Sequence, residues 1–306
     1  MPSISQEVFL NIINENLIDP SLDKVKMAIN DDAAFVYQRG GAATVHIPSA
    51  GAIASISAGN STYPVSITER TDTDNSYSLT NLEVTPVRVG YAQNNTAAYT
   101  QDESILNDAT RGIALRAARE ILKGHYHYTS GLYVGTTGSA VAGHAPSATG
   151  NRKAITGADL KKALGIMDRV SVPSTDRYLI LDSTMYWQLM DDLGYTAYRD
   201  SVGSLGLGAE LPDLWGTKVI MMPNVLFTSN AGAVKAIGDA GAATDYAAAL
   251  LVQKSCTSMA MTDPMVFINE NDPTLYGTVY SASMMVGGKY RRYDKYGVVP
   301  ILGVVA

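Results

Sequence analysis

A single cysteine, Cys256, in 306 residues excludes an intramolecular disulfide, a Cys-x-x-Cys zinc site and a dithiol redox pair. A lone thiol can serve as a nucleophile, but Cys256 lies in an apolar stretch and reads as a small core residue of a chain made in a reducing compartment. Charge is scarce: Asp, Glu, Lys and Arg form 17% of the chain, against roughly 25% in an ordinary soluble protein. With 27 glycines and 18 tyrosines, much of the surface is polar without being charged, a composition that suits burial against partner subunits. The net charge of −6 disfavours nonspecific wrapping of nucleic acid and leaves room for a local basic patch. No run of 18 apolar residues occurs, and the opening Met-Pro-Ser-Ile-Ser-Gln-Glu has neither the basic patch nor the apolar block of a signal peptide. Neither membrane insertion nor secretion is expected.

Catalytic signatures are missing too. The phosphate loops G-x-x-x-x-G-K-[ST] and G-x-G-x-x-G do not occur. G-x-S-x-G is absent, and its nearest look-alike, Gly203 to Gly206, lacks the frame that sets a nucleophile on a strand-to-helix elbow. His125 and His127 are two apart, which on a strand would put both rings on one face and could ligate a metal. No third ligand cluster accompanies them; His46 and His144 lie far away in sequence. The reading is of a protein that is not an enzyme, with no catalytic residue, cofactor or metal assigned.

What is present is a globular composition, 46% hydrophobic, enough to bury a substantial core. Val8, Phe9, Ile12, Ile13 and Leu17 recur at helical spacing before Pro20, and Leu22, Val25, Met27 and Ile29 follow, so residues 1–43 form a mostly helical arm ending near Gly40 and Gly41. Residues 44–99 are rich in Thr, Ser, Val and Tyr and carry no helical stripe. Tyr63, Val65 and Ile67 alternate as one strand, Glu69 and Arg70 open a polar tip running to Ser76, and Tyr77 and Leu79 begin the return. Parity then slips through Leu82, Val84, Val87 and Val89, as at a bulge in a long hairpin. Such a ribbon has too few large apolar residues for a core of its own. At ~10 residues an arm it reaches ~33 Å, so a neighbouring subunit is its natural support.

Thr100 to Glu103 form a capping box, and Ile105, Ala109, Ile113, Ala117 and Ile121 recur every four residues up to Gly124, predicting a long amphipathic helix. Residues 135–150, almost all small, read as a mobile surface loop. Thr156 and Asp159 cap a second helix, 177–181 is a buried strand, and Asp182 with Ser183 starts a third helix. Beyond Gly194 the pattern is α+β, with strands expected at 218–222, 247–252, 265–269 and 278–286 and a closing pair at 289–293 and 298–305. Residues 289–296 hold four basic and three aromatic residues, a mixture able to stack on bases and neutralise phosphates. Alternation would put Arg291, Tyr293 and Lys295 on one face and Arg292 on the other, where intersubunit ion pairs fit equally well.

Taken in order, these pieces resemble the major capsid proteins of tailed bacteriophages, a family whose fold is shared by encapsulin shells. The segments that carry the resemblance are Thr-Val-His-Ile-Pro at 44–48, the helix from Gln101 to Lys123, Arg-Tyr-Leu-Ile-Leu-Asp at 177–182, Leu-Trp-Gly-Thr-Lys-Val-Ile-Met-Met-Pro-Asn at 214–224 and Tyr-Gly-Val-Val-Pro at 296–300. The resemblance implies an N-terminal arm (1–43), an extended hairpin called the E-loop (44–99), a peripheral domain with a spine helix (100–190), an axial domain (191–283) and a return to the peripheral domain (284–306). It implies a homo-oligomer of hexamers and pentamers closing as an icosahedral virion head around double-stranded DNA. Assembly would take place in the host cytoplasm, with separate scaffold, portal and decoration proteins as further partners and loose contact with the packaged DNA. Expected intersubunit contacts are Tyr63, Val65, Ile67, Glu69, Arg70, Tyr77, Leu79, Arg291 and Arg292. Some relatives cross-link an E-loop lysine; 44–99 holds none, which predicts a noncovalent shell. The alternative within the same resemblance is an encapsulin-type nanocompartment.

Overall fold

The structure, a computed structural model, describes residues 20–39, 42–51, 58–61, 63, 64, 67, 69–90, 101–202, 213–223, 226–272 and 274–305. Along the chain these form α1 (Pro20–Ala28), β1 (Val36–Arg39), β2 (Ala42–Ser49), β3 (Thr73–Ser78), β4 (Thr80–Glu83), β5 (Val87–Gly90) and α2 (Gln101–His125). There follow β6 (Val134–Gly135), β7 (Ala140–Ala142), β8 (Asn151–Lys153), α3 (Gly157–Arg169), β9 (Arg177–Asp182) and α4 (Ser183–Val202). The last part holds β10 (Thr217–Met222), β11 (Leu226–Thr228), β12 (Tyr246–Gln253), β13 (Thr257–Met261), β14 (Met265–Asp272), β15 (Gly277–Tyr290) and β16 (Val298–Leu302). The apolar stripe of residues 1–19 and the cap at Thr100 lie outside the described residues.

A mixed sheet in the order β10-β9-β12-β16-β6, with β11 beside β12, is the centre of the fold. All six residues of β9 are buried, because the sheet is covered on both faces and its strands need apolar side chains in both directions. Leu179, Leu181, Ala249, Leu251, Val299 and Ile301 pack toward α3 and α4. Tyr178, Ile180, Leu250, Val252 and Val298 point the other way, into the core shared with α1, α2 and β15. The sheet takes β9 from before residue 190, β10 to β12 from 191–283 and β16 from after 284. One hydrogen-bonded sheet thus joins strands from three of the expected segments.

The second sheet is built on β15, a 14-residue strand. It pairs antiparallel with β13 and β14, and with β4 and β5. Helix α2 lies across β15, burying Ile113, Ala117 and Ile121 as its four-residue recurrence predicts. The backbones meet where Gly124 and Gly288 face each other. The predicted cap of α3 is present: Thr156 Oγ1 accepts from Asp159 N, and Asp159 Oδ2 accepts from Thr156 N at 3.1 Å. Asp182 caps α4 by accepting from Met185 N at 2.6 Å, and α4 breaks at Gly194, whose φ of 71° is left-handed.

Three expectations are corrected. Residues 63, 64, 67, 69 and 70 are not in a strand; the arms of the ribbon are β2 and β3, paired from Thr44↔Ser78 to Ser49↔Thr73. Residues 135–150 are not a free loop: β7 and β8 form a small hairpin, and the Arg152 guanidinium donates to the carbonyls of Thr149, Ala243 and Asp245. Small side chains let these carbonyls close around one cation. Lastly, β15 ends at Tyr290, and residues 291–297 are turns leading to β16 in the other sheet, so the expected closing hairpin and its alternating faces do not form.

Candidate assembly surface

The ribbon of β2 and β3 has an inner face bearing Ala43, Val45, Tyr77 and Leu79, which packs on Ala260 of β13 and Met285 of β15. Polar groups complete the seat. Tyr77 Oη lies 3.0 Å from Ser258 Oγ, and burial pushes the phenol pKa up to about 12. Asn75 Nδ2 donates to Tyr290 O at 2.6 Å, and Lys289 Nζ donates to Ser76 O at 2.9 Å. On the outer face, His46 Nδ1 meets Asp74 Oδ2 at 2.5 Å. The base of the hairpin thus leans on its own chain. Tyr77 and Leu79, expected at a subunit contact, are instead core residues, because strand parity turns them inward.

Past Ser49 and Thr73 the chain is closed by Asp72, which accepts from Gly51 N at 2.9 Å and from Arg70 Nε at 2.7 Å. The Gly51 N–H first, and then Arg70, hold its carboxyl below the usual carboxylate range. Tyr63 and Ile67 in this segment are 75% and 95% exposed. Glu69 and Arg70 are exposed as well, and Val65 lies outside the described residues. Apolar side chains this open find no cover among the described residues. A second open region lies on β14, which pairs only with β15 among the described residues and leaves Met265 and Phe267 62% and 52% exposed.

The basic residues of 289–296 are engaged within the chain. Arg291 forms a double hydrogen bond with buried Asp32, its Nε donating to Oδ2 at 3.1 Å and its Nη2 to Oδ1. Arg292 Nη2 donates to Asp294 Oδ2 at 2.6 Å, and Lys295 Nζ to Thr129 Oγ1 at 3.2 Å. Arg291 and Arg292, expected at a subunit contact, thus also fasten their own loop. Asp32, Asn75 and Ser258 do much of this fastening, and isolated polar residues of this kind give no sequence signal.

The histidines are structural. His125 Nδ1 is 2.7 Å from Ile121 O and His127 Nε2 is 2.8 Å from Val298 O. Burial lowers the pKa of both, that of His125 to about 4. His144 Nε2 meets Asp182 Oδ2 at 2.5 Å. Among the described residues no three His, Cys, Asp or Glu converge on a metal-sized site. Cys256 is buried, and burial pushes its thiol pKa up, which disfavours the nucleophilic thiolate. No helix among the described residues is long and apolar enough to cross a membrane.

No protein-family model matches the chain, and no curated protein does either. Solved structures do. The chain is similar to the capsid of Ralstonia phage GP4, with 10% identity and a TM-score of 0.59 over 91% of this chain and 87% of that one. It is similar to the capsid of cyanophage P-SCSP1u, with 18% identity and a TM-score of 0.59 over 89% and 86% of the two chains. The cyanophage Pam1 capsid matches with 12% identity and a TM-score of 0.59 over 91% and 88%.

Proposed function

We propose that this chain, which has the fold of phage capsid proteins, is a major capsid protein: a structural subunit that assembles with copies of itself into a closed icosahedral head around double-stranded DNA. The observation that carries the reading is a ribbon seated at its base by Tyr77, Leu79 and Asn75, whose far end exposes Tyr63 and Ile67 to solvent. A segment built this way is stabilised by a neighbour. In this reading residues 44–99, which include most of β2 and all of β3, are the E-loop, and α2 is the spine helix. Residues 100–190 with the return at 284–306 would form the peripheral domain, and 191–283 the axial domain.

The mechanism is geometric. Heterologous contacts between identical subunits close into rings, and rings into a shell. Many weak contacts then add to high stability, since each subunit is held at several sites at once. The absence of lysine from 44–99 supports a shell free of covalent links through the hairpin. Scaffold, portal and decoration proteins would be separate chains, and the site of action would be the virion, assembled in the host cytoplasm. Electron microscopy of the expressed protein tests the proposal, with closed particles of uniform diameter as the expected result.

A further inference from the structure

Three cations on separate elements line one surface beside α2. Arg119 of α2 reaches Pro223 O at only 3.5 Å, and its Nε is buried without a hydrogen-bond partner. Lys24 of α1 reaches Met221 O, two residues along the same chain end of β10, also at 3.5 Å. Among the described residues no carboxylate lies within ion-pair distance of Lys24 or Arg119. Next to Arg119 opens a cleft of about 170 Å³ whose wall includes Leu226, Phe227 and Lys235. Lys235 Nζ stands 3.4 Å from Asp245 Oδ2, a loose pair. Asp245 and Asp239 also line this cleft, each with one carboxylate oxygen accepting from a backbone N–H, of Ala242 at 2.7 Å and Gly241 at 2.8 Å. Farther along α2, Arg116 and Lys123 share Glu120 at 3.1 and 3.5 Å, which leaves that trio net positive.

Cations near a helix C-terminus complement the helix dipole, and this accounts for Lys123 without any ligand. It does not account for Lys24 on another helix, for Lys235 in a loop, or for a dry guanidinium nitrogen beside an open cleft. A buried donor without an acceptor is costly, and an anion entering the cleft would supply the acceptor. Burial and neighbouring Arg116 both disfavour the Arg119 charge, so an anion there relieves two costs together. Because Lys24 and Arg119 reach carbonyls two residues apart, Met221 and Pro223, and Arg119 shares the cleft wall with Lys235, a chain of anions fits better than a single one. Among the described residues no exposed aromatic residue is interleaved in the row, so it offers backbone contact and no base stacking.

We propose that the row Lys24, Arg119 and Lys235 is a phosphodiester-binding surface, through which the subunit holds the backbone of nucleic acid without reading its sequence. The identity of the nucleic acid as packaged DNA rests on the capsid reading; the site itself does not. It also moves the DNA contact away from 289–296, whose cations are already engaged.

The test is binding of a fluorescent DNA duplex to the soluble full-length subunit across a salt series. The double variant Lys24→Gln/Arg119→Gln should lower affinity at least tenfold at low salt and make the log–log salt slope shallower by about two, one for each contact removed. Arg119→Lys should keep the slope, and Lys24→Gln alone should shift it by about one, which preserves the test if the double variant misfolds. Lys161→Gln/Lys162→Gln on α3, across the sheet, should change nothing. Unchanged binding by the double variant, or an equal loss from the α3 variant, overturns the proposal. So does polyglutamate displacing the duplex better than unlabelled DNA, since that would assign the row to an acidic protein. Shell formation is scored separately by electron microscopy, so a failed capsid reading and a failed phosphate site give different results.

Discussion

A methyl group on Gly124 would sit 1.8 Å from the carbonyl oxygen of Gly288. Helix α2 and strand β15 thus meet backbone to backbone, and Gly288 has no more room, since a Cβ there would lie 2.8 Å from His125 Cε1. Gly124→Ala should lower the unfolding free energy by about 1–3 kcal/mol, the usual range for overpacking, despite alanine's better helix propensity. Urea denaturation measures it, and an unchanged midpoint would show that the two elements are not held in this contact.

Asp32 is buried and takes both hydrogen bonds from Arg291, tying the segment after α1 to the loop after β15. Asp32→Ala strands a half-buried guanidinium, and breaking a buried pair by removing one partner costs about 3–5 kcal/mol. The lower end is expected because Arg291 is partly exposed. A thermal midpoint within a degree of the parent's would contradict this role.

His125 makes stability depend on pH. Its pKa falls from 6.5 in the unfolded chain to about 4 in the fold, because burial disfavours the imidazolium. Between these values the unfolded chain binds a proton that the fold refuses, so stability is highest above pH 6.5 and falls as pH drops toward 4. The whole contribution is roughly 3 kcal/mol at about 1.4 kcal/mol per pK unit. Denaturation curves at pH 7 and 4.5 should show a larger acid loss for the parent than for His125→Gln, by roughly 2 kcal/mol. Equal losses would place the acid sensitivity elsewhere.

Replacing residues 53–69 by a short Gly/Ser linker should leave circular dichroism and thermal midpoint nearly unchanged while abolishing assembly. The cut spares β2, β3 and the Asp72 closure. A deletion reaching Leu79 would remove core residues and unfold the ribbon's seat. Normal particles from the linker variant would refute the role given to the exposed end.

Elements defined by their own apolar pattern were legible in the sequence. The four-residue recurrence from Ile105 to Ile121 marks α2, the run Tyr178 to Leu181 marks a strand covered on both faces, and Thr156 with Asp159 marks the start of α3. The arms of the ribbon were not. Tyr63, Val65 and Ile67 alternate like a strand, but no partner strand makes a register with the described ones. The true return strand, β3, includes Asp74 and Asn75, which read as turn residues. They are tolerated because His46 and Tyr290 O satisfy them, and those partners lie 28 and 215 residues away in sequence. Arg291 misleads in the same way: its charge points to a partner molecule until Asp32 is seen beside it.

Electron microscopy of the purified full-length protein, alone and after coexpression with candidate scaffold proteins, tests the capsid reading most directly. The account predicts closed icosahedral particles of uniform diameter, with the segment between β2 and β3 lying on an adjacent subunit. A protein that stays monomeric under all these conditions, with a folded core and Tyr63 and Ile67 still exposed, would contradict it.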